Sequence, residues 1–213
     1  MGDRPDPHPT VLLTGFGPFP GITVNASTAL VKGLARSARQ AIPDFRFIAA
    51  ILPTDWDRAP PTIARLHRRH APVLALHFGV AASARGFRIE TEARNICHAS
   101  RDAAGNLPAA SRLMAEGADV CPVTVSAPML AAALQAKGYP VSLSDNAGGY
   151  LCNAVLYHSL TIAGGPGRNC QVGFVHIPAD VSRPPLTLTG AIAGAFEIVK
   201  EALASLTINS PPR

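Results

Sequence analysis

Of the four cysteines in this 213-residue chain, Cys97, Cys121, Cys152 and Cys170, only Cys152 lies between a glycine-rich loop and a predicted helix start. The loop is DNAGGY, residues 145–150, and a helix is predicted to open directly after it, over about 151–162. A helix start turns free N–H groups toward the preceding loop, which favours an anion. A thiol with an ordinary pKa near ~8.5 gains thiolate character there, and the same N–H groups can stabilise an oxyanion on an attacked carbonyl. Gly148 and Gly149 would let a substrate backbone approach closely. Cys97, Cys121 and Cys170 lack that combination and read as small hydrophobes of the core. No CxxC pair is present, so the spacing offers neither a zinc knuckle nor a thioredoxin-type redox site.

A cysteine nucleophile needs a base, and His176 stands at the end of the apolar run VGFV, just before Ile177 and Pro178. An imidazole with a pKa near ~6.5 can take the thiol proton and return it to a leaving amine. The ring in turn needs a group that fixes its tautomer, and Glu90, Glu92, Asp145 and Asp180 are all candidates. In an extended segment Glu90 and Glu92 point to the same face, so parity does not separate them. Asp145 and Asp180 could instead serve their own loops. Of the other histidines, His77 falls inside an apolar strand and His158 on the nucleophile's helix, while His8, His67, His70 and His98 have polar neighbours.

These groups must be held by a folded scaffold. Hydrophobic residues make up 47% of the chain and charged residues 15%, a balance that favours one packed core over disorder. Apolar runs at 11–14, 45–52, 73–78, 141–144 and 171–175 read as strands, and helices are predicted at about 25–36, 60–70, 127–137, 151–162 and 187–206. Asn25 or Ser27 can cap the first helix and Ser126 the third, and Gly138 suits a helix end. Residues 86–117 alternate poorly and read as an excursion from the sheet. Strands alternating with helices imply a mostly parallel sheet covered on both faces, with chemistry at the carboxyl ends of the strands. The expected organisation is a single domain over 1–213, with 1–10 a flexible N-terminal segment.

Three motifs resemble the pyroglutamyl peptidase I (pyrrolidone-carboxylate peptidase) family of cysteine peptidases. TGFGPF at 14–19 resembles its TGFEPF loop, SDNAGGYLCN at 144–153 its nucleophile motif, and GFVHIP at 173–178 its histidine motif. The family's glutamate opens a segment that ends in Asn five positions later, a spacing that Glu90 and Asn95 match and Glu92 does not. The resemblance implies a three-layer α/β/α domain with a mostly parallel mixed sheet, phosphorylase/hydrolase-like. It implies removal of an N-terminal pyroglutamate from peptides through a thiol acyl-enzyme, without metal or organic cofactor. Cys152 would be the nucleophile, His176 the base and Glu90 its orienter, with Phe16 and Phe19 lining the lactam pocket. Members are often homotetramers, so a homo-oligomer is expected.

The chain departs from the family pattern at several places. Gly17 replaces the loop Glu, Pro20 stands where Gly is usual, and Val80 occupies a place where many bacterial members carry Gln. ETEARN at 90–95 keeps the ends of the family's ERVAIN and loses its apolar middle. The arginine of a family DAR tripeptide falls in register at Ser100, which makes Arg101 the candidate oxyanion partner. These changes motivate an alternative, a related cysteine amidohydrolase of altered specificity.

A non-catalytic basic module is the other alternative, because the formal net charge is +5. The densest basic run, Arg65, His67, Arg68, Arg69 and His70, lies where a helix ends and cations oppose the carbonyl end of its dipole. Aromatic residues are 6% of the chain and none interleaves that run, so no nucleic-acid partner is expected. The acidic, Pro-rich start does not read as a signal peptide, and no apolar run reaches the roughly 18 residues that span a bilayer. A cytoplasmic protein with a peptide substrate and no membrane partner is the expectation.

Overall fold

The computed structural model describes residues 8–208. Its elements run β1 (Thr10–Phe16), α1 (Ala26–Ala41), β2 (Arg46–Leu52), α2 (Ala59–His70), β3 (Leu74–Ala81), β4 (Phe87–Glu90), β5 (Glu92–Arg94), β6 (Val120–Pro122), α3 (Ala127–Ala136), β7 (Val141–Ser144), α4 (Leu151–Ala163), β8 (Gln171–Pro178) and α5 (Leu188–Ile208). A six-stranded sheet in the order β2-β1-β3-β8-β4-β7 forms the middle layer, and β5 and β6 pair separately. Period-two alternation sorts the strand side chains between two cores. Val11, Leu13, Leu74, Leu76, Val175 and Ile177 face the layer of α1, α3 and α5. Leu12, Ala75, Val172 and Phe174 face α2 and α4. The result is a single α/β/α domain. Among the described residues no helix is long and apolar enough to cross a membrane.

Local chemistry explains most element ends. Asn25 caps α1, its side chain accepting from Ser27 N at 3.1 Å. Ser126 occupies the N-cap of α3 without a side-chain bond, and Pro128 in the first turn fits a position that needs no N–H. Gly138 follows α3 at φ +77°, a conformation that glycine tolerates best.

The structure differs from the sequence reading in three respects. Residues 87–90 are not part of an excursion: β4 lies inside the main sheet, antiparallel to β8 and parallel to β7. The departure from the sheet begins only at Thr91. β8 extends to Pro178 because β3 pairs with it along its whole length, so His176 lies within a strand rather than after one. Of the segment 1–10, residues 1–7 lie outside the described residues, while Thr10 opens β1 and its carbonyl accepts from Val73 N at 2.9 Å.

Candidate active site

Strand parity brings the chemistry to one face. Phe87 and Ile89 of β4 point into the α1/α3/α5 core, so Arg88 and Glu90 point to the other side. On β8 the same rule places Phe174 and His176 on the face covered by α4. Arg88 is the register partner of His176 and Glu90 that of Phe174. His176 Nδ1 meets Glu90 Oε1 at 2.7 Å, with 3% and 0% of the side chains exposed. An ionised carboxylate only accepts, so Nδ1 carries the hydrogen and Nε2 is left as the basic nitrogen. Among the described residues Glu90 Oε2 is buried outside hydrogen-bond geometry of any partner, while the Ser144 side chain on β7 is near enough to favour the ionised carboxylate.

The rival carboxylates are occupied elsewhere. Glu92 and Asp145 both pair with Arg94, at 2.9 and 3.6 Å. Asp180 accepts from the backbone and hydroxyl of Ser182 and pairs with Arg183.

Cys152 sits in the first turn of α4 and shares with His176 the wall of a cavity of about 330 Å³. Close approach of this helix end to the sheet depends on Gly79, the register partner of His176: a Cβ there would stand 2.9 Å from Cys152 Sγ and from the Phe174 ring. Tyr150, the N-cap of α4, makes no side-chain cap, so the N–H groups of that turn remain available. Burial nevertheless pushes the Cys152 thiol up to about 12, and Glu90 adds to the rise, while Arg88 and the residue's own backbone N–H oppose it. The thiolate character expected of a helix start is therefore outweighed by desolvation. Burial also holds His176 below its ordinary value, against the pull of Glu90, with Arg88 acting in the same direction as burial. Burial pushes Glu90 up, but the His176 and Ser144 side chains and the charges of His176 and Arg88 prevail and hold it below its ordinary value.

The rest of the cavity wall is mainly apolar. Phe16 and Phe19 both line it, as do Ile22, Val80, Tyr150 and Leu151. Phe16 is 3% exposed and packs on Phe174 at 6.4 Å between centroids, so it serves core and cavity together. Phe19 is half-buried and leans on Tyr150 at 6.0 Å, and Trp56 meets the same ring edge-on at 5.3 Å. The loop carrying the Gly17 departure is held by its main chain, the Gly17 carbonyl accepting from Asn25 at 3.0 Å and Thr54 at 3.1 Å.

Two expectations fail here. Arg101 does not reach the cavity wall: its exposed guanidinium curls back to the Gly105 carbonyl, in a turn organised by Asp102, which accepts from Trp56, Ala104 and Asn106. Arg101 contributes only its carbonyl, which accepts from the Tyr150 hydroxyl at 3.1 Å. Gly149 serves packing rather than substrate access, because a Cβ there would run into the His98 ring.

Several residues of the site were not singled out from sequence. Arg88 and Tyr150 line the cavity, and parity with Glu90 or adjacency to the first turn of α4 could have found them. Asn153, fully buried, bonds Arg94 N and the Arg94 and Ile96 carbonyls, tying β5 to α4. Nothing in its own neighbourhood signals that.

Comparison with known proteins decides the class. Residues 9–194 match the family described as "Pyroglutamyl peptidase". The chain belongs to the pyroglutamyl peptidase family. It is a cysteine peptidase by that membership, and the family removes N-terminal pyroglutamate. The chain is 30% identical to the pyrrolidone-carboxylate peptidase of Alkaliphilus oremlandii over 79% of its length and 78% of the relative's. It is 33% identical to the pyrrolidone-carboxylate peptidase of Vibrio vulnificus over 79% and 77%. In three dimensions it matches a mutant pyrrolidone carboxyl peptidase from the hyperthermophile Pyrococcus furiosus with a TM-score of 0.85 at 25% identity, covering 92% of this chain and 99% of the other.

Proposed function

We propose that Cys152, His176 and Glu90 hydrolyse the amide bond after an N-terminal pyroglutamyl residue of peptides. The observation that carries this reading is the 2.7 Å pair of His176 Nδ1 and Glu90 Oε1 on the wall of the cavity that also holds Cys152. With the thiol pushed up to about 12 and the imidazole held down, both are neutral at rest. Proton transfer from Sγ to Nε2 accompanies attack of sulfur on the carbonyl carbon, and the Glu90 carboxylate stabilises the imidazolium so formed. The uncapped first turn of α4, which carries the Cys152 N–H, supports an oxyanion-binding role for it. The imidazolium then protonates the leaving amine as the C–N bond breaks, giving a thioester. Water attacks the thioester while Nε2 takes its proton; as the C–S bond breaks, the imidazolium returns that proton to Sγ, and pyroglutamate leaves with the Cys152 thiol and the neutral His176 restored.

The wall of Phe16, Phe19 and Tyr150 supports a flat, neutral ring as the bound group. A lactam offers no ammonium, and among the described residues no carboxylate lines the cavity to receive one.

The test is release of a fluorophore from its pyroglutamyl amide beside the prolyl and free glutamyl amides. Only the first should be cleaved well. Cys152→Ser should lose about a thousandfold or more, while Ala at Cys97, Cys121 or Cys170 should leave turnover intact. Equal rates on all three amides would refute the specificity, and an active Cys152→Ser protein would refute the nucleophile.

A further inference from the structure

Among the residues lining the cavity, Arg88 is the side chain with a permanent charge. β4 carries it two positions before Glu90, on the same face. Its Nε donates to Glu90 Oε1 at 3.0 Å, one terminal nitrogen donates to Ser83 Oγ at 2.9 Å, and the other lies 3.4 Å from His176 Nδ1. Because Nδ1 already gives its hydrogen to Glu90, this last contact is a cation held against the imidazole.

We propose that Arg88 is a positioning residue of the hydrolytic site, which pins the Glu90 carboxylate beneath His176 and supplies the counter-charge that leaves the imidazole free to act as a base. The proposal rests on the hydrolase reading above.

A carboxylate as buried as Glu90 requires a cation beside it. Arg88 and His176 share the same oxygen, Oε1, and among the described residues Oε2 is outside hydrogen-bond geometry of any partner. If Arg88 did not neutralise Glu90, the carboxylate would draw a proton onto His176, and a ring that is already protonated cannot accept one from Cys152. The charged and titratable groups facing His176 are Glu90 and Arg88 from β4 and Cys152 from α4. β3 presents Gly79 to it, and His77 lies beyond the Phe174 ring. The guanidinium also acts on Cys152, lowering its pKa, so its loss would move both partners of the proton transfer to higher pH. The Ser83 bond holds the far end of the guanidinium and so keeps the fork aimed at Glu90.

The experiment compares Arg88→Met and Arg88→Lys with the parent by two readouts: the pH titration of the His176 ring nitrogens by NMR, and the pH profile of kcat/KM on the pyroglutamyl amide. In Arg88→Met the ring midpoint and the acid limb should both rise by about one pH unit. Turnover on the acid side should then fall about tenfold and recover as the pH is raised, with little change in KM. Arg88→Lys, which keeps the charge, should restore most of the limb. A midpoint and limb that coincide with the parent's would overturn the proposal, as would an equal loss at every pH. If Arg88→Met does not fold, Ser83→Ala loosens the same arginine and should move the limb upward by a smaller amount; no movement overturns the proposal. The NMR titration needs no turnover: a raised midpoint in a protein inactive on pyroglutamyl amides would refute the activity and leave the hold of Arg88 on His176 standing.

Discussion

At the scale of the residue, Glu90 matters through its charge as much as its position. Glu90→Gln keeps a carbonyl for His176 Nδ1 and Arg88 Nε, which share one oxygen, but leaves the guanidinium and the imidazolium without their carboxylate. We expect kcat to fall at least about a hundredfold with KM within a few-fold; a variant keeping a tenth of parental kcat would refute the role. Cys152 and His176 were legible because each follows a local pattern, a glycine-rich loop before a helix and an apolar run before a proline. Glu90 was not separable from Glu92 by parity alone. What separates them is that the strand ends between the two: Glu90 closes β4, whereas Glu92 opens a strand of another sheet and turns to Arg94. Arg101 was misplaced because its position in the chain is near the site while its guanidinium satisfies a local carbonyl first. His67 has polar neighbours in the basic run at a helix end, yet it is 1% exposed, because the last turn of α2 directs it inward while Arg68 and Arg69 face out.

At the scale of the element, the site depends on how closely α4 can approach the sheet. Gly79 on β3 leaves room for Cys152 Sγ and for the ring of Phe174, which itself lies 4.7 Å from the His176 ring. Gly79→Ala should therefore push the thiol away from the imidazole, lowering kcat/KM about tenfold or more while the fold persists, since misplacement of reacting groups by an ångström is costly. Unchanged kinetics in a folded Gly79→Ala protein would show that the contact is not limiting. The helices and most strands were legible from apolar period and caps. The direction of β4 was not. A four-residue strand carries no sign of which neighbour it joins, and its pairing with β8 and β7 joins residues far apart in the chain.

At the scale of the molecule, the layers are joined by a buried polar chain on the α2/α4 side. Thr14 on β1 bonds His77 on β3 at 2.8 Å, and Ser159 on α4 bonds His77 at 2.9 Å and His67 on α2 at 2.7 Å. Burial lowers both rings, His67 to about 4 with Arg168 assisting, and His77 to about 3 with His67 assisting. Unfolded, both would take up a proton near the ordinary 6.5. Their neutral burial thus contributes stability that is complete above the unfolded value and is lost as the pH falls toward the folded values. Between pH 7 and 5, where carboxylates still hold their charge, the urea midpoint should drop, by the equivalent of on the order of 1–3 kcal/mol. A level midpoint across that window would refute the account. By itself the sequence determined most element types, the alternating α/β class and the local settings of Cys152 at a helix start and His176 near a strand end, because each is written in neighbours a few residues apart. Only the tertiary structure decided which carboxylate meets His176, that Arg88 joins it, and that Arg101 does not. Those outcomes turn on strand direction, on where a strand stops and on which local partner a side chain finds first, and all three are fixed by packing between distant segments.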